Sequence, residues 1–419
     1  MYRVSKLSNG LTVATAEMPY MASVSLGLWA GVGGRYEPAE LNGVCHFIEH
    51  LLFKGTRKRT ARQISQDIEG IGGYLNAFTS EDLTCYQCRA GHSHFEDLLD
   101  VLTDMFLNST FDPVEIDKER SVIKEEIAMY RDQPQEHVQE VLHETIWPGQ
   151  PLGRPLTGTS ETLDYLIRPR ILEYKNTNYV ADRTLVAVAG KIKHAQAVRA
   201  VERISRRFPR GKSPDFVPVD DRQEAPRLKL VTKEAEQTQL ALGIRACSRH
   251  DPRRFALRLM NTILGENMSS RLFQVIREDL GLAYSIYSSV THFEDVGIVT
   301  VSAGLDHDNL NQTLKLISRE LRHLTETAPG GAEFRRARDY AIGQIDLGLE
   351  STDNQMMWMG ERLLGQGRVY TAAQVKKKLA AVKPSEVLAV ARDFLRPERM
   401  NLALVSPLKS GRGLLKLLS

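Results

Sequence analysis

Apolar and polar positions alternate, cluster and recur along this chain in ways that predict its elements before any residue is given a chemical role. The opening stretch MYRVSKLSNGLTVAT reads as a strand, a turn at Asn9-Gly10 and a second strand, because Asn-Gly supplies the positive φ angles that tight hairpins need. Residues 43–53, GVCHFIEHLLF, carry apolar side chains at helical spacing after a glycine-rich loop and predict a buried helix. YLNAFT at 74–79 alternates as a strand, and a helix is predicted to begin at Asp112-Pro113 and run through PVEIDKERSVIKEEIAMY.

The same order of elements occurs twice. SVSLGLWAGVGGRYEP is echoed by TQLALGIRACSRHDP, and QDIEGIGGYLNAFTSEDLTCYQCRAG by VIREDLGLAYSIYSSVTHFEDVGIVTVSAG. Both copies then run into amphipathic helices, HFEDLLDVLTDMF and NLNQTLKLISREL. Between the copies, a stretch rich in proline and charge shows no periodicity and reads as a linker. The expected organisation is a duplicated domain: 1–210, a linker at 211–226, and 227–419. Strands arriving as hairpins between helices predict an α+β fold, two homologous domains of antiparallel-rich sheet with helices packed on one face. Opposite CHFIEHLLF the second copy has MNTILGENM, which keeps the helical pattern and lacks its histidines. Chemistry is therefore expected in the first copy only.

Composition changes this picture little. A net charge of +3 on 419 residues gives no electrostatic reason to expect nucleic acid or an anionic membrane as partner. No apolar run is long enough to span a bilayer, the first residues lack a signal-peptide pattern, and four cysteines make no disulfide framework, so a reducing, cytoplasmic setting is expected.

The candidate chemistry lies in the helix at 43–53. His46 and His50 are four residues apart, so at about 100° per residue they fall within about 40° of one another on one face, where two imidazoles can share a zinc ion. Glu49 lies on that face too, placed to take a proton from a water whose pKa zinc lowers to roughly 7. Three such polar residues among Val44, Phe47, Ile48, Leu51 and Leu52 would be costly to bury without a metal. Hydrolytic zinc takes a third protein ligand, and the helix after Asp112 offers Glu119, Glu125 and Glu126. Glu119 and Glu126, seven apart, share a face that Glu125 does not, and spacing leaves the choice among the three open.

His-x-x-Glu-His is the inverted order of the commoner zinc-peptidase motif. Together with GGYLNAFTSEDLTCY, ERSVIKEEIAMYRDQP, QPLGRPLTGT and REDLGLAYSI, HFIEHLLFKGT resembles the pitrilysin-like (M16) metallopeptidases over nearly the whole chain. The likeness is greatest to the short branch that includes the mitochondrial processing peptidase and its bacterial relatives. The resemblance implies a zinc endopeptidase with one zinc per active subunit, His46, His50 and Glu126 as ligands, Glu49 as general base, and Glu119 orienting a ligand histidine. It implies further that the edge of Tyr74–Thr79 accepts peptide or unfolded polypeptide as an added strand, with Asn76 and Ala77 at the substrate-binding positions. It also implies that Arg277 and Tyr284 reach into a zinc site from the other half of a clamshell, Tyr284 donating to the oxyanion. Longer members carry four such domains and this chain two, so the resemblance implies a dimer, identical or with a related chain, in which that pair serves the partner's zinc. A subunit that is mainly structural or substrate-binding is the competing expectation.

The remaining signals are expected to be structural. GVGGRYEP lacks the Lys-Ser/Thr ending of a phosphate-binding loop. Cys85 and Cys88 in a strand point to opposite faces, Cys45 packs its helix, His92 and His94 start one, and LKSGRGLLKLLS reads as a frayed tail.

Overall fold

In the computed structural model, which describes residues 2–212 and 215–418, the first hairpin forms at the predicted turn, with the positive φ at Gly10 and not at Asn9. Strands β1 (Tyr2–Lys6) and β2 (Thr12–Glu17) pair antiparallel around Gly10, whose φ is 97°. Four more strands complete this sheet: β3 (Ser23–Ala30), β4 (Tyr74–Thr79), β5 (Thr84–Gly91) and β6 (Thr184–Gly190). Their order is β1-β2-β6-β3-β5-β4, antiparallel except for the parallel pair β2 and β6, so β4 is an edge. One face packs against α1 (Val44–Leu52), α2 (Ala61–Glu69) and α3 (Phe95–Asn108), which bury Val44, Phe47, Ile48, Ile64, Leu98 and Leu102 against Val24, Leu26 and Val188.

The second sheet repeats this connectivity with β7 (Arg227–Thr232), β8 (Thr238–Ala246), β9 (Ala283–His292), β10 (Gly297–Leu305) and β11 (Met400–Ser406), in the order β7-β11-β8-β10-β9. Again one pair, β7 with β11, is parallel, and a hairpin, β9 and β10, forms one end. Helix Arg254–Leu264 stands where α1 stands in the first copy, and helix Leu310–Glu326 where α3 stands. The duplication read from the echoes is thus a duplication of topology.

The two units are not continuous in sequence. One contains residues 1–127, 154–217 and 347–371; the other contains 128–153, 218–346 and 372–419. The changeover between Val217 and Pro218 falls in the predicted linker, of which Ser213 and Pro214 lie outside the described residues. Two segments depart from the simple division at that linker. The helix Thr352–Gln366, late in the chain, belongs to the first unit, and α5 (Pro134–Ile146), which follows α4 (Pro113–Asp132), belongs to the second.

Packing explains the exchange. Strands β3 and β6 in one sheet, and β10 and β11 in the other, are buried almost end to end, so both faces of each sheet are apolar and need cover. Each sheet therefore carries a helix on its second face in addition to those on the first. Met356 and Met359 pack on Ala14, Ala16, Trp29, Ala187 and Ala189, while Val138, Val141, Leu142 and Ile146 pack on Ala241, Ile298, Ala403 and Val405.

The fit on the first sheet is close. A Cβ at Gly360 would come within 2.2 Å of the Trp29 ring, so Gly360→Ala is expected to cost ~1–3 kcal/mol. Gly343, in helix Gly331–Gly348, has nothing within 4 Å of an added Cβ, and the same change there is expected to stabilise by up to ~1 kcal/mol. Denaturant midpoints moving in opposite directions check the pair; a Gly360→Ala midpoint at or above the parent's would show that the helix can draw back from Trp29.

The C-terminal segment corrects its expectation. Its residues Leu414–Leu417 form a short 3-10 turn, and Leu414 and Leu418 are buried in the core of the second unit. Leucines at this spacing gain more by packing than by fraying.

Candidate metal centre

Helix α1 begins at Gly43, whose φ of 93° is open to glycine at little cost. Its first N–H groups are held by a buried carboxylate. Glu37 accepts from the backbone N–H of Gly43 at 2.7 Å and of Cys45 at 2.8 Å, and from the Asn42 amide at 3.0 Å. Burial pushes the Glu37 pKa up to about 7 against the pull of those donors. The helix buries Val44, Cys45, Phe47, Ile48, Leu51 and Leu52, and this leaves His46, Glu49 and His50 on the face turned from the core.

Helix α4 supplies the facing carboxylates. Glu126 Oε2 stands 3.7 Å from His46 Nε2 and 3.6 Å from His50 Nε2, and one donor atom from each of the three residues lies within 4.8 Å of the others. Tetrahedral zinc with bonds of about 2.0–2.1 Å requires ligand atoms roughly 3.3–3.5 Å apart, so the residues fit the ion. Glu125 is exposed and stands outside this group. The other such group among the described residues, Asp306, His307 and Asp308, is exposed at all three positions.

Electrostatics suit the same chemistry. Burial, with a smaller contribution from the neighbouring His50, pushes the His46 pKa down to about 3, so its ring is neutral and free to donate a lone pair. Glu119 is only 4% exposed, so its carboxylate is turned inward and not to solvent. Its Oε2 is 3.1 Å from His50 Nδ1 and its Oε1 is 2.8 Å from Lys54 Nζ, an arrangement that fixes the ring with Nε2 turned to Glu126. Glu49 is held above the usual carboxylate range chiefly by desolvation, against a hydrogen bond that its Oε2 accepts from Thr79 Oγ1 at 2.5 Å.

Sequence reasoning missed three of these residues. Lys54 had a signal, since it follows His50 by four residues. Thr79 had a weaker one in the alternation of β4, which places 75, 77 and 79 on one face. Glu37 had none, because a loop residue's reach to a helix end depends on how the loop folds.

At β4 the side chain of Asn76 is spent locally: its amide nitrogen donates to Tyr74 Oη at 2.8 Å, and its oxygen accepts from the Ala77 N–H at 2.9 Å. That N–H therefore faces away from β5, toward the open edge. Arg277 and Tyr284 belong to the second unit. Arg277 lies in a π-helical stretch, Phe273–Asp279, a local form that recurs at functional positions. Its guanidinium carbon is 5.9 Å from the centre of the Tyr284 ring, and Tyr284 is 77% exposed.

The residues set aside as structural behave so. Cys85 and Cys88 are buried in cores on opposite faces of the first sheet, and Cys45 is buried with its sulfur 3.4 Å from Tyr174 Oη. His92–His94 form a single turn ahead of α3.

Known proteins share both the sequence and the fold. Residues 12–160 match the family described as Insulinase (Peptidase family M16), and residues 166–340 match the Peptidase M16 inactive domain. The chain is 38% identical to an uncharacterized zinc protease of Streptomyces coelicolor, covering 97% of this chain and 90% of that one. It is 37% identical to the uncharacterized zinc protease YmxG of Bacillus subtilis, covering 95% and 97%. A crystal structure of a protease from Helicobacter pylori superposes with a TM-score of 0.91 at 19% identity, over 97% of this chain and 99% of that one. With two successive matches along one chain, and with full-length relatives at this level of identity, the protein belongs to peptidase family M16.

Proposed function

We propose that the protein is a zinc-dependent endopeptidase acting on peptides or unfolded segments. The observation that carries this reading is the convergence of His46, His50 and Glu126 beside the Glu49 carboxylate. One zinc ion, held by those three side chains, would supply a Lewis acid for the scissile carbonyl and lower the pKa of water to roughly 7. Glu49 takes the proton of the attacking water and returns it to the leaving amine; its desolvation brings its basicity nearer to that task. Glu119 orients His50. Substrate pairs as an added strand along the open edge of β4, displacing Asn76 Oδ1 from the Ala77 N–H and freeing the Asn76 side chain to bond the substrate backbone.

In the same reading the active assembly is a dimer. Tyr284 donates a hydrogen bond to the oxyanion formed in the partner's site, and Arg277 anchors the tyrosine or the substrate backbone. The exposure of Tyr284 supports this, because an exposed tyrosine side chain is available to a second chain. Four free, buried cysteines support a reducing, cytoplasmic setting, and no helix of the described residues is long and apolar enough to cross a membrane.

A second reading, a subunit active only beside a distinct partner chain, is favoured by the match of residues 166–340 to a domain described as inactive. Incubating the purified chain with an unbiased peptide library, with and without a chelator, and identifying products by mass spectrometry tests both. Cleavage that the chelator stops and zinc restores is the expected result. Full zinc occupancy without cleavage would favour the second reading, and a chain that neither binds zinc nor cleaves would refute the first.

A further inference from the structure

Glu49 is a long side chain that must present one oxygen to a water, and among the described residues one hydrogen bond restrains it: the Thr79 hydroxyl to its Oε2. A carboxylate held through one oxygen keeps the other free to accept a proton. Thr79 suits the task because a β-branched side chain has few χ1 choices, so its hydroxyl direction is set by the strand backbone. That backbone is held through its neighbour, since Thr79 opposes Thr84 at the end of the β4–β5 ladder and the next residue, Ser80, donates its N–H to Leu83 O at 2.8 Å.

The strand adds a second observation. The Ala77 N–H faces the open edge, so by the alternation of an antiparallel ladder the backbone groups of Leu75, Ala77 and Thr79 all face that edge. These are also the residues whose side chains turn toward α1: Leu75 and Ala77 pack on the core that α1 shares, and Thr79 reaches Glu49. The edge on which a substrate strand would lie and the mount of the general base are thus one element.

We infer that Thr79 is a positioning residue, which acts through Glu49 to hold the base in register with a peptide paired to β4. The inference rests on the proposed role of Glu49 as base. Thr79→Val keeps the shape and removes the hydroxyl; Thr79→Ser keeps the hydroxyl. With the zinc-loaded full chain and a peptide from the library cleavage, Thr79→Val is expected to lower kcat ~10–100-fold. KM, zinc stoichiometry and the thermal midpoint are expected to stay at parent values, and Thr79→Ser is expected to recover most of the loss. Crystals of the zinc-free variants give a readout independent of turnover: the Glu49 carboxylate should be displaced or spread over several rotamers in the valine variant and ordered in the serine variant.

A valine variant with parent kcat and an unmoved Glu49 would overturn the inference, as would a loss confined to KM or a serine variant as impaired as valine. The two readings separate cleanly. Turnover retained by Glu49→Gln would remove the base itself, whereas an inert Glu49→Gln beside an unimpaired Thr79→Val would remove only the role of Thr79.

Discussion

Glu49→Gln is expected to bind zinc as the parent does and to lose turnover by ~10²–10⁴-fold, the range that a positioned general base contributes. The change is nearly isosteric and retains an oxygen that can accept the Thr79 hydroxyl, so the helix and its neighbours have no cause to move. Glu49 stands outside the group formed by His46, His50 and Glu126, so the atoms that could hold a metal are untouched. What is lost is the ability to take a proton, because an amide oxygen is far too weak a base near neutral pH. Metal analysis beside steady-state kinetics on the same preparation checks this. Substantial turnover in the glutamine variant would end the general-base assignment, and loss of zinc would make Glu49 a ligand instead.

The second large effect concerns the metal. Structural zinc in small sites is worth about 10–16 kcal/mol, so losing one strong ligand should weaken affinity on the order of 10²–10³-fold. Glu126→Gln is expected to do so, since a neutral amide replaces an anionic group that faces both imidazoles, at 3.6 and 3.7 Å. Glu125→Gln, an exposed position one residue away, is expected to bind zinc as the parent does. Competition with a chromophoric chelator gives the affinities. The thermal shift on adding zinc gives an independent reading, because a 100-fold excess over Kd stabilises the folded state by ~2.7 kcal/mol. Unchanged affinity in Glu126→Gln with a loss in Glu125→Gln would exchange the roles of the two.

Much of the candidate site was legible in the sequence because it rests on one helix. The spacing of His46, Glu49 and His50 against the apolar stripe of Val44, Phe47, Ile48, Leu51 and Leu52 places all three polar residues on one face, whatever that helix packs against. Glu126 was different. Spacing offered it together with Glu119 and Glu125, and resemblance selected it; only the packing of α4 against α1 puts its carboxylate near both imidazoles. The same packing buries Glu119 between His50 and Lys54, although nothing in ERSVIKEEIAMY distinguishes a buried glutamate from a solvated one.

Local pattern also carried most of the fold. The Asn9-Gly10 hairpin, the two edge hairpins and the paired amphipathic helices depend on residues near one another in the chain, and their recurrence revealed the duplication. The exchange of α5 and the helix Thr352–Gln366 was beyond such reading. An amphipathic helix states that it needs an apolar surface, not which one, and the deciding complement is distant in sequence: alanines of β2 and β6 and the Trp29 ring against Gly360. So it is with Thr79. The sequence by itself determined the types of element, their repetition and the helix face on which His46, Glu49 and His50 stand, because each follows from backbone periodicity. Tertiary structure alone decided which carboxylate meets the histidines, which groups hold Glu49 and Glu119, and which helix covers each sheet, because those are contacts between residues tens to hundreds of positions apart.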